Sequence, residues 1–146
     1  MMQFEDMKKA QQRLVESGCT CVICFDDKMW ESRERGVKPL LLWLEEERIP
    51  RGFFAADKVV GRAATFLYVL LGARAVWADV ISEPACEVLH EAGIHYEAAH
   101  IVPAIRNRTN TGFCPMETSV LGITDPQAAL VAIKNKLREL SQQQKG

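Results

Sequence analysis

Asp57 is the residue best placed to do chemistry in this chain. It stands in Ala55-Ala56-Asp57-Lys58, where a short strand-like run gives way to an apolar helical one. A carboxylate at a helix start accepts backbone N–H groups and is stabilised by the helix dipole. The same position suits a plain N-cap, so a cap and a site residue are both open there. Lys58 sets a cation beside it. Ser82-Glu83-Pro84-Ala85-Cys86 opens a second helix after another strand. Where adjacent parallel strands each run into a helix, their ends form the crevice in which open α/β sheets bind ligands.

The stretch from Asn107 to Glu117 is the second candidate. Arg106 and Arg108 can grip a phosphate or carboxylate in bidentate fashion. Asn107, Thr109, Asn110 and Thr111 offer amide and hydroxyl contacts. Gly112 allows close backbone approach, and Cys114 and Glu117 complete the candidate set. An ordinary surface loop is the alternative, yet loops longer than about 12 residues tend to be functional or disordered. Phe113, Cys114 and Met116 argue against disorder. A third polar cluster, Arg33, Arg35, Gly36 and Lys38, walls the same cleft or is simply solvated.

Cys19, Cys21 and Cys24 look like a metal cluster, but a strand sends Cys19 and Cys21 to one face and Cys24 to the other. No histidine completes a tetrahedral set, so buried structural thiols are expected. His90, His95 and His100 are scattered and read as surface groups. Cys86, near a helix start, is a conceivable nucleophile, but nothing in the sequence supplies its base. No metal or cofactor is expected.

The elements that must position these residues follow from periodicity and breakers. Phe4 to Ser17 has helical spacing, with Phe4, Met7, Leu14 and Val15 as core contacts. Cys19 to Phe25 and Met29 to Arg33 form a hairpin about Asp26-Asp27. A helix starts at Lys38-Pro39. Phe53 to Ala56 reads as a short strand or bend, and Asp57 caps a helix to about Leu71. Arg74 to Ile81 is a strand, Ser82 or Glu83 caps the next helix, and Ile94 to Val102 is a strand. Residues 103–121 read as a loop, and Thr124-Asp125-Pro126 starts a last helix to about Leu140. The tail 141–146 is expected to fray. This order predicts an α/β fold, a three-layer α/β/α sandwich with a mixed sheet, as one domain over 1–146.

With 146 residues, 48% hydrophobic and 25% charged, the chain has the composition of one globular domain. A net charge of −1 gives no global attraction to nucleic acid or to an anionic membrane. Five cysteines and a start that is not signal-like point to cytoplasmic thiols.

Four segments carry a resemblance: Gly36-Val-Lys-Pro-Leu, Ala56-Asp-Lys-Val-Val-Gly-Arg-Ala-Ala, Ala78-Asp-Val-Ile-Ser-Glu-Pro-Ala, and Asn107-Arg through Thr111-Gly-Phe-Cys-Pro-Met-Glu117. With them the chain from about Gly18 to Leu140 resembles a prokaryotic family of unknown function with a cytidine-deaminase-like fold. Zinc deaminases carry His or Cys, Ala, Glu on one helix start and Pro-Cys-x-x-Cys on the next. Here the ligand positions read Ala55, Ala85 and Val88, and the carboxylate position reads Asp57. Alanine and valine cannot hold the zinc that lowers the pKa of its bound water.

The resemblance therefore implies a zinc-independent cleft suited to a nucleotide or ADP-ribose-like ligand. Its contacts would be Lys58, Ser82, Glu83, Asn107, Arg108, Thr109, Thr111, Gly112, Cys114 and Glu117. Asp57 would be the catalytic residue, as nucleophile toward an anomeric carbon or as general base. Whether the chain is an enzyme stays open. The alternatives are a non-catalytic interaction module, with Trp30, Trp43 or Trp77 as an exposed contact, and a deaminase with a metal relocated to Cys86, Cys114 and a histidine. Deaminase-like sandwiches often associate, and the apolar helix from Val59 to Leu71 would permit a homo-oligomer. No membrane or nucleic-acid partner is expected.

Overall fold

The computed structural model describes residues 3–34, 36–106, 112 and 114–145, with side chains from residue 5 to residue 142 of that set. Asn107, Arg108, Thr109 and Thr111 lie outside the described residues. The elements are α1 (Gln3–Ser17), β1 (Cys21–Phe25), β2 (Lys28–Ser32), α2 (Lys38–Glu46), β3 (Phe54–Val60), α3 (Arg62–Leu71), β4 (Ala75–Ser82), α4 (Glu83–Glu91), β5 (His95–Val102), α5 (Pro115–Ser119) and α6 (Pro126–Lys145).

The five strands form one mixed sheet in the order β2-β1-β3-β4-β5. β1 pairs antiparallel with both β2 and β3, and β3-β4-β5 run parallel. The hairpin turns on Asp26, whose φ of 53° is one that aspartate tolerates better than most residues.

Strand alternation divides the core. Cys21, Ile23, Ala55, Val76 and Ala78 share one apolar core with residues of α2, α3, α4, α5 and α6. Val22, Cys24, Phe54, Ala56 and Ala75 turn the other way and meet Met7, Ala10 and Leu14 of α1. Helices thus cover both faces of the central strands, as an α/β sandwich requires. β5 lies at the edge, and Ile101 is 60% exposed there.

Several expectations need correction. β3 does not end at Ala56 but runs to Val60, because Asp57 pairs with Cys21 on one side and Ala78 on the other. Asp57 is therefore a strand residue, and α3 starts five residues later. Cys19 does not share a face with Cys21. β1 begins at Cys21, and Cys19 follows the left-handed bend at Gly18, so it packs with Cys24 beneath α1. Val15 is 71% exposed instead of buried. The segment after β5 holds a short helix, α5, and α6 is helical through Lys145, beyond the expected end near Leu140.

α3 is apolar almost all round, and its apolar surface is used inside the chain. Ala63, Phe66, Leu67 and Leu71 are buried in the core shared with α2, α4 and α6. The helix therefore leaves little apolar face for a second copy.

Candidate functional site

The two helix starts lie side by side, as the sequence suggests. Val60 pairs with Ile81 across the parallel strands, and two residues beyond each of them α3 and α4 begin. The carboxyl ends of β3 and β4 thus deliver two helix N-termini to one edge of the sheet.

The two starts are capped differently. Ser82 is fully buried, and its Oγ accepts the N–H of Ala85 at 3.2 Å, an ordinary N-cap. α3 has no such residue, because its N-cap is Gly61. Instead the Glu117 carboxylate from α5 accepts from Arg62 N at 2.6 Å and from Ala63 N at 2.9 Å. A Cβ on Gly61 would stand 2.5 Å from that carboxylate, so glycine makes the approach possible. The α3 dipole thus receives its anion from within the chain.

Asp57 is buried, with 7% of its surface exposed. Tyr68 Oη, one helix turn from the end of α3, donates to Asp57 Oδ2 at 2.8 Å. Cys21, its cross-strand neighbour, stands with Sγ 3.4 Å from the same Oη. Burial pushes the Asp57 carboxyl up from 3.8 to about 7. Donation from Tyr68, from the backbone N–H of Val59 and Lys58, and from the Cys21 thiol opposes that shift without cancelling it. Burial also raises Tyr68 and Cys21 well above their usual values, so both keep their protons at neutral pH.

The other expected residues are less concentrated. Lys58 and Glu83 are exposed. Gly112 and Cys114 are partly buried, and Cys114 N donates to Ile105 O at 3.1 Å, which ties the base of the segment between β5 and α5. A cleft of about 270 Å³ opens elsewhere, between α3, α4 and the start of α6, lined by Arg62, Phe66, Val88, Glu91 and Thr124 among others. Among the described residues, none of the expected ligand residues lines it. Among the described residues no group of three or more His, Cys, Asp or Glu is arranged to hold a metal ion. Ala55 and Ala85 are both fully buried in the apolar core.

Cys21 and Tyr68 are the partners that sequence reasoning did not connect to Asp57. One signal was available. Tyr68 is the lone phenol in an otherwise apolar helix, and a buried phenol usually finds a hydrogen-bond partner.

The fold and this carboxylate-centred arrangement define an α/β protein on a mixed five-stranded sheet. The chain belongs to the DUF1893 family: the model described as TM1506, a domain of unknown function, matches residues 9–137. It is similar in fold to the crystal structure of a DUF1893 family protein, TM1506, from Thermotoga maritima. The TM-score is 0.80 at 23% identity, over 92% of this chain and 90% of that one. No curated protein sequence matches it. Among the described residues no helix is long and apolar enough to cross a membrane.

Proposed function

We propose that this protein binds a nucleotide or ADP-ribose-like ligand without zinc, on a cytidine-deaminase-like frame, beside Asp57. One observation carries the reading. A buried carboxyl with a pKa near 7 lies three residues from the end of β3, where the two helix starts meet. Carboxyls tuned toward neutral pH cluster at functional sites, because such a group exchanges protons in the working range. Lys58 follows with its side chain exposed, a cation for a phosphate. In this reading the phosphates do not seat on α3, whose N-terminal amides already hold Glu117. They lie toward the exposed Lys58. Asp57 meets the sugar end, as general base when ionised.

A non-catalytic interaction or regulatory module on the same frame is the second reading. It is favoured by the full set of donors around Asp57 and by the commitment of both Glu117 oxygens to α3. Calorimetric titration of the whole chain with ADP-ribose separates the two. Saturable heat that is lost in Asp57→Asn and weakened in Lys58→Ala, with both variants folded, supports the ligand site. No heat in the wild type leaves the module.

A further inference from the structure

We infer that Asp57, Tyr68 and Cys21 form one proton-linked hydrogen-bond cycle in which the Asp57–Tyr68 bond reverses direction. Tyr68 and Cys21 are then the positioning residues that set the form in which Asp57 meets a ligand. The inference deepens the ligand-site reading and takes its functional meaning from it.

Tyr68 Oη lies 2.8 Å from Asp57 Oδ2 and 3.4 Å from Cys21 Sγ, which gives two sides of a triangle. Cys21 is directly opposite Asp57 across β1 and β3, so the backbone fixes two corners and α3 supplies the third.

Proton accounting gives two arrangements. With Asp57 ionised, its carboxylate accepts from both the Tyr68 hydroxyl and the Cys21 thiol. One added proton makes Asp57 a donor. Its O–H then points at Tyr68 Oη, the Tyr68 O–H turns to Cys21 Sγ, and the Cys21 S–H closes the ring on the remaining Asp57 oxygen. Each side-chain donor has one acceptor, so the neutral state leaves no buried side-chain donor unpaired. A hydroxyl and a thiol can both reverse roles by rotation, whereas a backbone amide cannot. That is why this triangle has two states where an ordinary cap has one.

The surroundings leave the decision to these three groups. From β4 the strand neighbour is Ala78, and α2 brings Val37 and Leu40 to the same core. The Glu117 carboxylate is held by the backbone amides of Arg62 and Ala63 at the start of α3, and the Arg62 guanidinium donates to Ile123 O. Lys58 is exposed on the strand itself. The charged groups of α1, Asp6, Lys9 and Arg13, lie across the sheet, where that helix packs. A midpoint near neutral pH follows from burial set against the donors.

Carbon-13 NMR titration of aspartate carboxyl groups in the whole chain tests this, with Asp57→Asn assigning the signal. Wild type is expected to titrate near neutral pH. Tyr68→Phe is expected to move the midpoint upward, because the ionised form loses its strongest donor, and Cys21→Ala to move it upward by less. The Cys21 S–H stretch in Raman spectra should shift across the same pH range in wild type, a readout that needs no variant to fold. Titration of Asp57 in the ordinary carboxylate range overturns the inference, as does an unmoved midpoint in folded Tyr68→Phe or an S–H band that ignores pH. Calorimetry with ADP-ribose across the midpoint keeps the two ideas apart. A titrating triangle with no ADP-ribose heat retains the cycle and removes the ligand. ADP-ribose affinity that is flat through the midpoint retains the ligand and removes the positioning role.

Discussion

Glu117 and Gly61 are joined by a contact that spans much of the chain. The Glu117 carboxylate sits where a Gly61 side chain would be, and from there it accepts the first two amides of α3. A capping carboxylate is worth about 0.5–2 kcal/mol. Glu117→Ala should cost that much in urea unfolding. Gly61→Ala should cost a similar amount, because its φ of −101° suits any residue and the methyl group acts only by displacing Glu117. The two substitutions remove one interaction, so the double variant should cost clearly less than their sum. Full additivity would show that the contact is idle.

Asp57 makes folding stability depend on pH in the direction opposite to that of a salt-bridged carboxylate. Its folded pKa, about 7, lies above the usual 3.8, so the folded state binds the proton more tightly than the unfolded state. Its contribution is fully present below about pH 4 and is lost as pH rises through 7. The shift corresponds to something on the order of 4 kcal/mol. In Asp57→Asn this share of the pH dependence should vanish. The wild-type minus variant difference in urea unfolding free energy, measured from pH 5 to pH 8, isolates it. A flat difference curve would mean that Asp57 ionises as an exposed aspartate does.

Ser82 offers a simpler check on the second helix start. Its buried hydroxyl accepts the Ala85 amide in the capping geometry. Ser82→Ala should cost about 1 kcal/mol, and Ser82→Asp should retain most of the cap. Thermal unfolding of both variants tests this. Equal losses would point to crowding at a fully buried site and not to the lost hydrogen bond.

Metal removal should leave this protein unaffected. Among the described residues no group of three or more His, Cys, Asp or Glu is arranged to hold a metal ion, and Ala55 and Ala85 are sealed in the core. Prolonged chelator treatment should not move the thermal midpoint, and elemental analysis should find no stoichiometric zinc. Stoichiometric zinc would restore the relocated-metal reading through Cys86, Cys114 and a histidine.

Much of the frame was legible in the residues. Runs rich in β-branched, thiol and aromatic residues over Cys19 to Phe25 and Arg74 to Ile81, and stops at Gly72 and Gly93, place most strands and helices. The error at Asp57 has a clear cause. Asp-Lys before an apolar run is a good local cap signal, but two-sided pairing with β1 and β4 outweighs it and extends β3 by four residues. The true α3 cap was hidden because it comes from Glu117, 55 residues beyond Arg62, and no local pattern encodes a contact of that range. Tyr68 and Cys21 were missed for the same reason: a register and a helix rotation bring them to Asp57, not a motif.

The long reach of Glu117 also bears on how the chain is made. During synthesis from the N-terminus, β1, β3 and α3 emerge well before α5. The first turn of α3 therefore waits, with its leading amides open to water, until the chain has grown 55 residues past Arg62. A fragment that stops before Pro115 would hold every strand of the sheet and still lack the group that closes its most buried helix.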